Sequence, residues 1–228
     1  MHKTVFAIAL TAALALATAA PAGPITLKGD MAHSTSGLGD FTATLSYSAS
    51  DATNATLTLA ITNTTSPGNG GYLTGFVFNN PGNAITGVAS LTTNYGSFTV
   101  LGGPGYQNGV NGAPYGQFDL GAALGGSFEG GGSPNSGIAV GATGNFEFAL
   151  TGVGLNSLTT ASFLSELSTG PGQGQDPAFF VARFRGMSAV GDAPTSDKVP
   201  AQDTPEPSAL LLAALGVGLL GWRSRRKA

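Results

Sequence analysis

Few side chains in this sequence are equipped for catalysis. There are two histidines and no cysteine, which excludes thiol nucleophiles, disulfides and cysteine-based zinc sites. His2 stands beside Lys3 ahead of an apolar N-terminal run, so His33 is the one imidazole available to a folded domain. It lies in Ala32-His33-Ser34-Thr35-Ser36. A Ser-His-Asp relay needs such a base, but no spacing here signals the other two members, and His33 reads as a loop residue. Paired carboxylates are the next possibility. Asp119, Glu129 and Glu147 could flank a glycosidic bond as acid and base or nucleophile. Glu147 occurs in Asn145-Phe146-Glu147-Phe148. Alternation puts it opposite the two phenylalanines, on the solvent side of an outer sheet rather than in a cleft. Asp30, Asp40 and Asp51 with loop carbonyls are chemically suited to calcium, yet no Asp-x-Asn-x-Asp loop contains them. The expectation is no catalytic residue, no metal and no cofactor.

Aromatic residues offer a binding chemistry instead. Tyr72, Tyr95, Tyr106 and Tyr115 fall in or near glycine-rich loops and strand ends, beside the amides of Asn108, Asn111 and Gln117. Ring faces of this kind can stack on sugars, which makes these four tyrosines the candidate glycan-stacking residues; the alternative is that each closes the rim of the core with its hydroxyl in water. Glycines crowd residues 102–144 without a fixed period, which excludes collagen and a nonapeptide calcium repeat. None of the clusters ends in the Lys-Ser or Lys-Thr of a phosphate loop. They read as long ordered loops.

The elements that position these residues are strands. Phe41, Ala43, Leu45 and Tyr47 alternate with Thr42, Thr44 and Ser46, and Ala55, Leu57, Leu59 and Ile61 alternate with Thr56, Thr58 and Ala60. Each run predicts a strand with one apolar and one threonine-rich face. Tyr72–Phe78 is more apolar and more central. Further strands are predicted at Ile85–Leu91, Phe98–Leu101, Gln117–Leu120, Ile138–Val140, Asn145–Leu150 and Phe179–Arg185. One helix is predicted, capped by Thr160, with Ala161, Phe163, Leu164 and Leu167 at helical spacing and Thr169-Gly170-Pro171 ending it. The fold class is all-β, an antiparallel β-sandwich with a jelly-roll-like layout, covered at one open end by the short helix.

Composition narrows the partners. The chain has 228 residues, only 9% charged, with a net charge of -3. Residues 23–198 hold four basic residues, Lys28, Arg183, Arg185 and Lys198, against ten acidic ones. A domain with this balance has no basic face for nucleic acid.

The two ends read as addresses. In residues 1–22, Lys3 is followed by an apolar core, Val5–Leu16, and by two small-residue cleavage patterns, Ala17-Thr18-Ala19 and Ala20-Pro21-Ala22. This is the layout of a signal peptide, and it implies the export translocon and signal peptidase as partners. At the other end Pro205-Glu206-Pro207 precedes an apolar run, Ser208–Trp222, and the basic cluster Arg223, Arg225, Arg226 and Lys227. Proline suits the first turn of a helix. As a helix the run is about 22 Å long, short of a full span, and Trp222 and snorkelling basic side chains can make up part of the deficit. The tail would remain cytoplasmic with the domain outside.

This tripartite end resembles the PEP-CTERM protein-sorting signal of exported proteins in Gram-negative bacteria. The resemblance implies that Pro205, Glu206 and Pro207 are read by an exosortase, a membrane transpeptidase-like enzyme. It also implies that the apolar segment forms a transmembrane helix holding the precursor transiently in the inner membrane, and that the basic cluster stops transfer. It further implies release or re-anchoring at the cell surface or in the extracellular matrix, in association with exopolysaccharide and biofilm. Phe179–Gly186 followed by Ser196-Asp197-Lys198-Val199 resembles the last strand and exit of many such passengers, in which histidine or glutamine often replaces Arg183 and Arg185. The expected organisation is a signal helix at 1–22, an exported domain at 23–198, a linker at 199–204 and the sorting signal at 205–228. The expected function is that of a non-enzymatic surface or matrix protein. A carbohydrate-binding module and a polysaccharide-degrading enzyme are the alternatives.

Overall fold

The computed structural model describes residues 23–170, 174–188 and 195–203. In chain order the elements are β1 (Ile25–Gly29), β2 (Phe41–Ala49), β3 (Asn54–Asn63), β4 (Gly70–Phe78), β5 (Ile85–Thr93), β6 (Phe98–Gly102), β7 (Val110–Asn111), β8 (Gln117–Phe118), β9 (Leu120–Leu124), β10 (Ile138–Ala139), β11 (Thr143–Gly152), α1 (Ser162–Ser165), β12 (Phe180–Met187) and β13 (Ser196–Asp203). The expected signal segment at 1–22 and the tag from residue 204 onward lie outside the described residues. Among the described residues no helix is long and apolar enough to cross a membrane.

The all-β expectation holds. In place of two packed sheets of similar size there is one large antiparallel sheet, in the order β5-β11-β3-β2-β1-β13-β12-β4-β9-β6, with β10 added beside β4, and a separate small pair of β7 with β8. The sheet folds over into two facing layers and is nearly a barrel. Its two edge strands, β5 and β6, are consecutive in the chain and are joined by residues 94–97. That short turn holds the edges near one another, although no ladder joins them.

β13 is the corner where one layer becomes the other. Its first part pairs with β12, from Arg185 opposite Ser196 to Val181 opposite Pro200. Its last part pairs with β1, with Gly29 opposite Ala201 and Leu27 opposite Asp203. The change of partner falls at Pro200, which has no N–H to donate. Proline is tolerated where a ladder is interrupted, and the Pro200 carbonyl still accepts from the amide of Asp30 at 2.8 Å. The expected linker at 199–204 is therefore corrected: residues 199–203 are strand, and Val199 is fully buried. The predicted helix is corrected too. Only Ser162–Ser165 forms an α-turn, and Thr160 does not cap it. The Thr160 hydroxyl instead accepts from the amide of Tyr47 at 3.2 Å, which ties the helical end to β2.

Phenylalanine fills the space between the layers. Phe76 of β4 meets Phe146 of β11 edge-on at 4.8 Å and stacks with Phe180 of β12 at 5.8 Å. Phe78 meets Phe148 at 5.7 Å and Phe163 of α1 at 6.1 Å. Phe41 packs on Phe180 at 5.6 Å across the layers. Full burial of each ring is worth about 1.5–3 kcal/mol.

The outer faces of the two layers differ. Behind β4, β9 and β12 lies a second core of Val77, Leu101, Val110, Tyr115, Phe118, Ala123, Phe128, Ala178 and Val181. The glycine-rich middle of the chain folds over this side, which is why every residue of β9 is buried. Gly121 shows what such close packing requires: a Cβ there would lie 2.1 Å from the carbonyl oxygen of Phe76. Gly125, at φ 67°, backs onto Gly131 just as tightly, with a virtual Cβ 2.7 Å from its backbone. Among the described residues the outer face of β1, β2, β3, β11 and β5 carries no such cover.

Candidate functional site on the open hydroxyl face

Alternation and register together build this face. With the apolar residues of β2, β3 and β11 turned inward, the residues between them line up in rows across the sheet. One row runs Lys28, Thr42, Thr62, Thr143; another runs Thr26, Thr44, Ala60, Asn145. A third runs Ser46, Thr58, Glu147, Thr92, and a fourth Ser48, Thr56, Ala149, Ser90. Threonine suits a pleated surface by its branching, and here it also presents hydroxyls at the strand spacing of about 4.8 Å. Cross-strand contact fixes some of them: the hydroxyls of Thr62 and Thr143 are 2.8 Å apart. Asn94 closes the β5 side, accepting from the amide of Asn145 at 2.8 Å and donating to the Thr143 carbonyl at 3.2 Å. The result is an open concavity of 420 Å3 over β2, β3, β11 and β5. Of its lining residues Glu147 alone is ionisable. The concavity offers neutral donors and acceptors with one carboxylate among them, and Lys28 stands on the same face at its β1 border.

The three candidate catalytic carboxylates are not brought together. Glu147 stands exposed on this face, between Thr58 and Thr92. Asp119 is buried at the β8–β9 junction, where its two oxygens accept from the amides of Asn80 at 2.7 Å and Asn108 at 2.5 Å. Glu129 lies outside the opposite layer. It pairs with Lys198 of β13 at 2.6 Å and faces Arg183 of β12 at 3.7 Å. Asp119 and Glu129 thus hold loops, and the aromatic core separates Glu129 from Glu147.

The outward side chains of β12 continue that hold. Arg183 donates to the Phe128 carbonyl, and Arg185 donates to the carbonyls of Gly131 at 2.8 Å and Gly132 at 2.6 Å. Lys198 donates to the Ala113 carbonyl and lies 5.9 Å from the Phe128 ring centroid. Burial lowers the Arg183 pKa, with Glu129 opposing the shift and Arg185 adding to it. The basic residues of β12 and β13 are therefore spent on fastening the glycine-rich loops.

The tyrosines do not form one patch. Tyr115 is only 2% exposed, and its hydroxyl lies 2.5 Å from the His33 carbonyl and 3.1 Å from that of Lys198. Burial, then Asp197 and Asp30, push its phenol above the ordinary range. It cannot stack on a sugar, which corrects that expectation. Tyr95 packs edge-on against Phe98 at 6.2 Å, and Tyr106 leans on the backbone of Gly102. Tyr72 borders a separate depression beside Pro67 and Ala139. No ring contact links any two of the four among the described residues.

The remaining polar candidates are also locally engaged. His33 bonds Asp30 through Nδ1 at 2.7 Å, on the surface. Asp40 accepts from the amide of Phe41 at 2.8 Å. Asp51 caps its own turn, accepting from both Thr53 and Asn54, and these bonds bring its pKa down to about 2. Among the described residues no group of three or more histidine or acidic side chains is placed to hold a metal.

The buried Asp197 of β13 escaped the sequence reading. One of its oxygens accepts from the Thr35 hydroxyl at 2.9 Å and the Ser36 amide at 2.8 Å. The other accepts from the amides of Leu38 at 2.8 Å and Gly39 at 2.9 Å. It fastens the β1–β2 connection to the corner strand. The only sequence signal for it was its place two residues before Val199, on the same side of an extended strand.

The model of the PEP-CTERM protein-sorting motif matches residues 203–227. No curated protein and no solved structure matches the chain. The matched segment begins on the last residue of β13 and takes in Pro205, Glu206, Pro207 and the basic cluster. The chain carries a PEP-CTERM sorting motif, and that motif marks it as an exported precursor addressed to an exosortase and destined for the cell surface.

Proposed function

We propose that this chain is a non-enzymatic surface or matrix protein that associates with extracellular polysaccharide through its open hydroxyl face. The observation that carries the reading is the sorting motif at residues 203–227, which directs the folded domain to the outside of the cell, where polysaccharide is the abundant polymer. The hydroxyl rows support it. A neutral glycan presents hydroxyls at short, regular intervals, and rows of threonine, serine and asparagine offer matching donors and acceptors. Without an aromatic platform each contact is weak, and retention comes from many domains acting along one polymer.

The test is retention of the purified chain on the exopolysaccharide of its own cells. Unaltered protein is expected to be held. Thr58→Val with Asn145→Leu, which keeps the shape and removes polar groups, is expected to lower retention about tenfold, the effect of losing one or two net hydrogen bonds. Equal retention of both forms, or none of either, overturns the glycan reading. Unprocessed chain recovered from the cytoplasm of exosortase-bearing cells overturns the export reading as well.

A further inference from the structure

The end of β13 is held differently from its beginning. Ser196–Pro200 pair with β12, and Val199 is buried in the core. Ala201, Gln202 and Asp203 pair with β1 alone, opposite Gly29, Lys28 and Leu27. Gln202 is exposed. The sorting motif starts on Asp203, and Thr204 alone separates that paired residue from Pro205. Enzymes that cut a chain act on accessible, locally open backbone. A segment held in a ladder, even along one edge, is not free to extend into an enzyme cleft.

We propose that Ala201, Gln202 and Asp203 gate the processing of this precursor. In the folded protein the chain up to Asp203 is held in the sheet, and access to the Pro-Glu-Pro motif depends on these three residues peeling away from β1. Val199 and Pro200 stay in the core and limit the peeling, so the mature chain keeps the corner strand. Cleavage itself passes the carbonyl carbon of the scissile peptide to water or to an acceptor amine. The departing nitrogen takes up a proton and stays with the C-terminal segment. A one-sided pairing of this length lowers the open population about tenfold, the scale of one or two net backbone hydrogen bonds. The proposal rests on the sorting reading, and the experiment separates the two.

Three full-length chains are followed by pulse-chase in cells that contain the exosortase. One is unaltered. One has a flexible Gly-Ser insertion of about eight residues after Asp203. One carries Lys28→Cys with Gln202→Cys, which face each other in register on the exposed side. The chain has no other cysteine, so a disulfide formed outside the cytoplasm is unambiguous, and alkylation with a mass tag reports its formation. The insertion is expected to speed processing about tenfold. The staple is expected to slow it at least tenfold, with reductant restoring the rate, and intact mass is expected to place every mature C-terminus beyond Asp203. Should the staple not form, the insertion and the mapped C-terminus decide. Equal rates for the unaltered and inserted chains, or a mature chain ending before Asp203, overturn the gate. Failure of all three to be processed overturns the sorting reading itself.

Discussion

Replacing Asp197 tests whether the corner strand is held by its buried carboxylate. Four donors converge on it, the Thr35 hydroxyl and the amides of Ser36, Leu38 and Gly39, and the residue is 1% exposed. In Asp197→Asn one oxygen still accepts two of these bonds. The new NH2 faces two donors, so two bonds to a carboxylate are lost and two donors are left unpaired in the interior. Bonds to charged groups are worth about 1.5–3 kcal/mol each, and an orphaned donor costs about 1–3 kcal/mol. These overlap, and the loop can relax, so the net expectation is about 3–5 kcal/mol. Against a total stability of about 5–15 kcal/mol this is large. Urea unfolding of the purified chain, followed by tryptophan-independent far-UV circular dichroism, measures it. With a slope of about 2 kcal/mol per molar urea, the midpoint is expected to fall by about 2 M with the slope unchanged. Thr35→Val removes one donor and is expected to cost about 1 kcal/mol. In the double variant the two costs are expected to be less than additive, because the bond they share is counted twice. A midpoint shift under about 0.5 M for Asp197→Asn refutes the reasoning.

Two further expectations concern packing and pH. Gly121→Ala would place a methyl 2.1 Å from the Phe76 carbonyl; β4 and β9 must part to admit it, and a loss of about 3 kcal/mol or more is expected in the same urea assay. Tyr47 donates its hydroxyl to the Leu155 carbonyl at 2.7 Å, and burial pushes its pKa up to about 12. The group stays protonated in the folded state while the unfolded chain ionises near pH 10. Its stabilising contribution is therefore whole below about pH 10 and is lost as pH rises toward 12. Tyr47→Phe is expected to cost about 1 kcal/mol at pH 7 and to flatten the decline in melting temperature between pH 10 and 12. An equally steep decline in both proteins refutes it.

The middle strands were legible because their alternation is clean. β2 and β3 each put one apolar and one hydroxyl-bearing row on a two-faced surface, and β4 read as central because its second half, Leu73–Phe78, is buried throughout. The open face was visible in the same pattern. The strands at the two ends of the described chain were not legible. β1 offers only Ile25 and Leu27 as an apolar pair. β13 is charged at its start and carries Pro200 in its middle, so local propensity argues against a strand that tertiary pairing on both sides creates. The tyrosines were ambiguous because a loop tyrosine can either face outward or close the rim of a core. Tyr115 closes the second core, beneath loops whose course depends on carbonyls captured by Arg183, Arg185 and Lys198. Such captures join residues more than fifty positions apart and leave no local trace.

The place of β13 at the corner has a mechanical consequence. Its C-terminal end is the point from which any membrane attachment must pull, and it is flanked by β12 along one stretch and β1 along the next. The bonds of an antiparallel ladder lie across the strand direction. Drag on the hydroxyl face would therefore load the strand lengthwise, so that its bonds share the force as a set. A pull between the two termini acts differently. The start of β1 and the finish of β13 lie side by side, and such a pull would part their three paired residues one after another. The same protein would be tough as a tethered anchor and weak when its two ends are drawn apart.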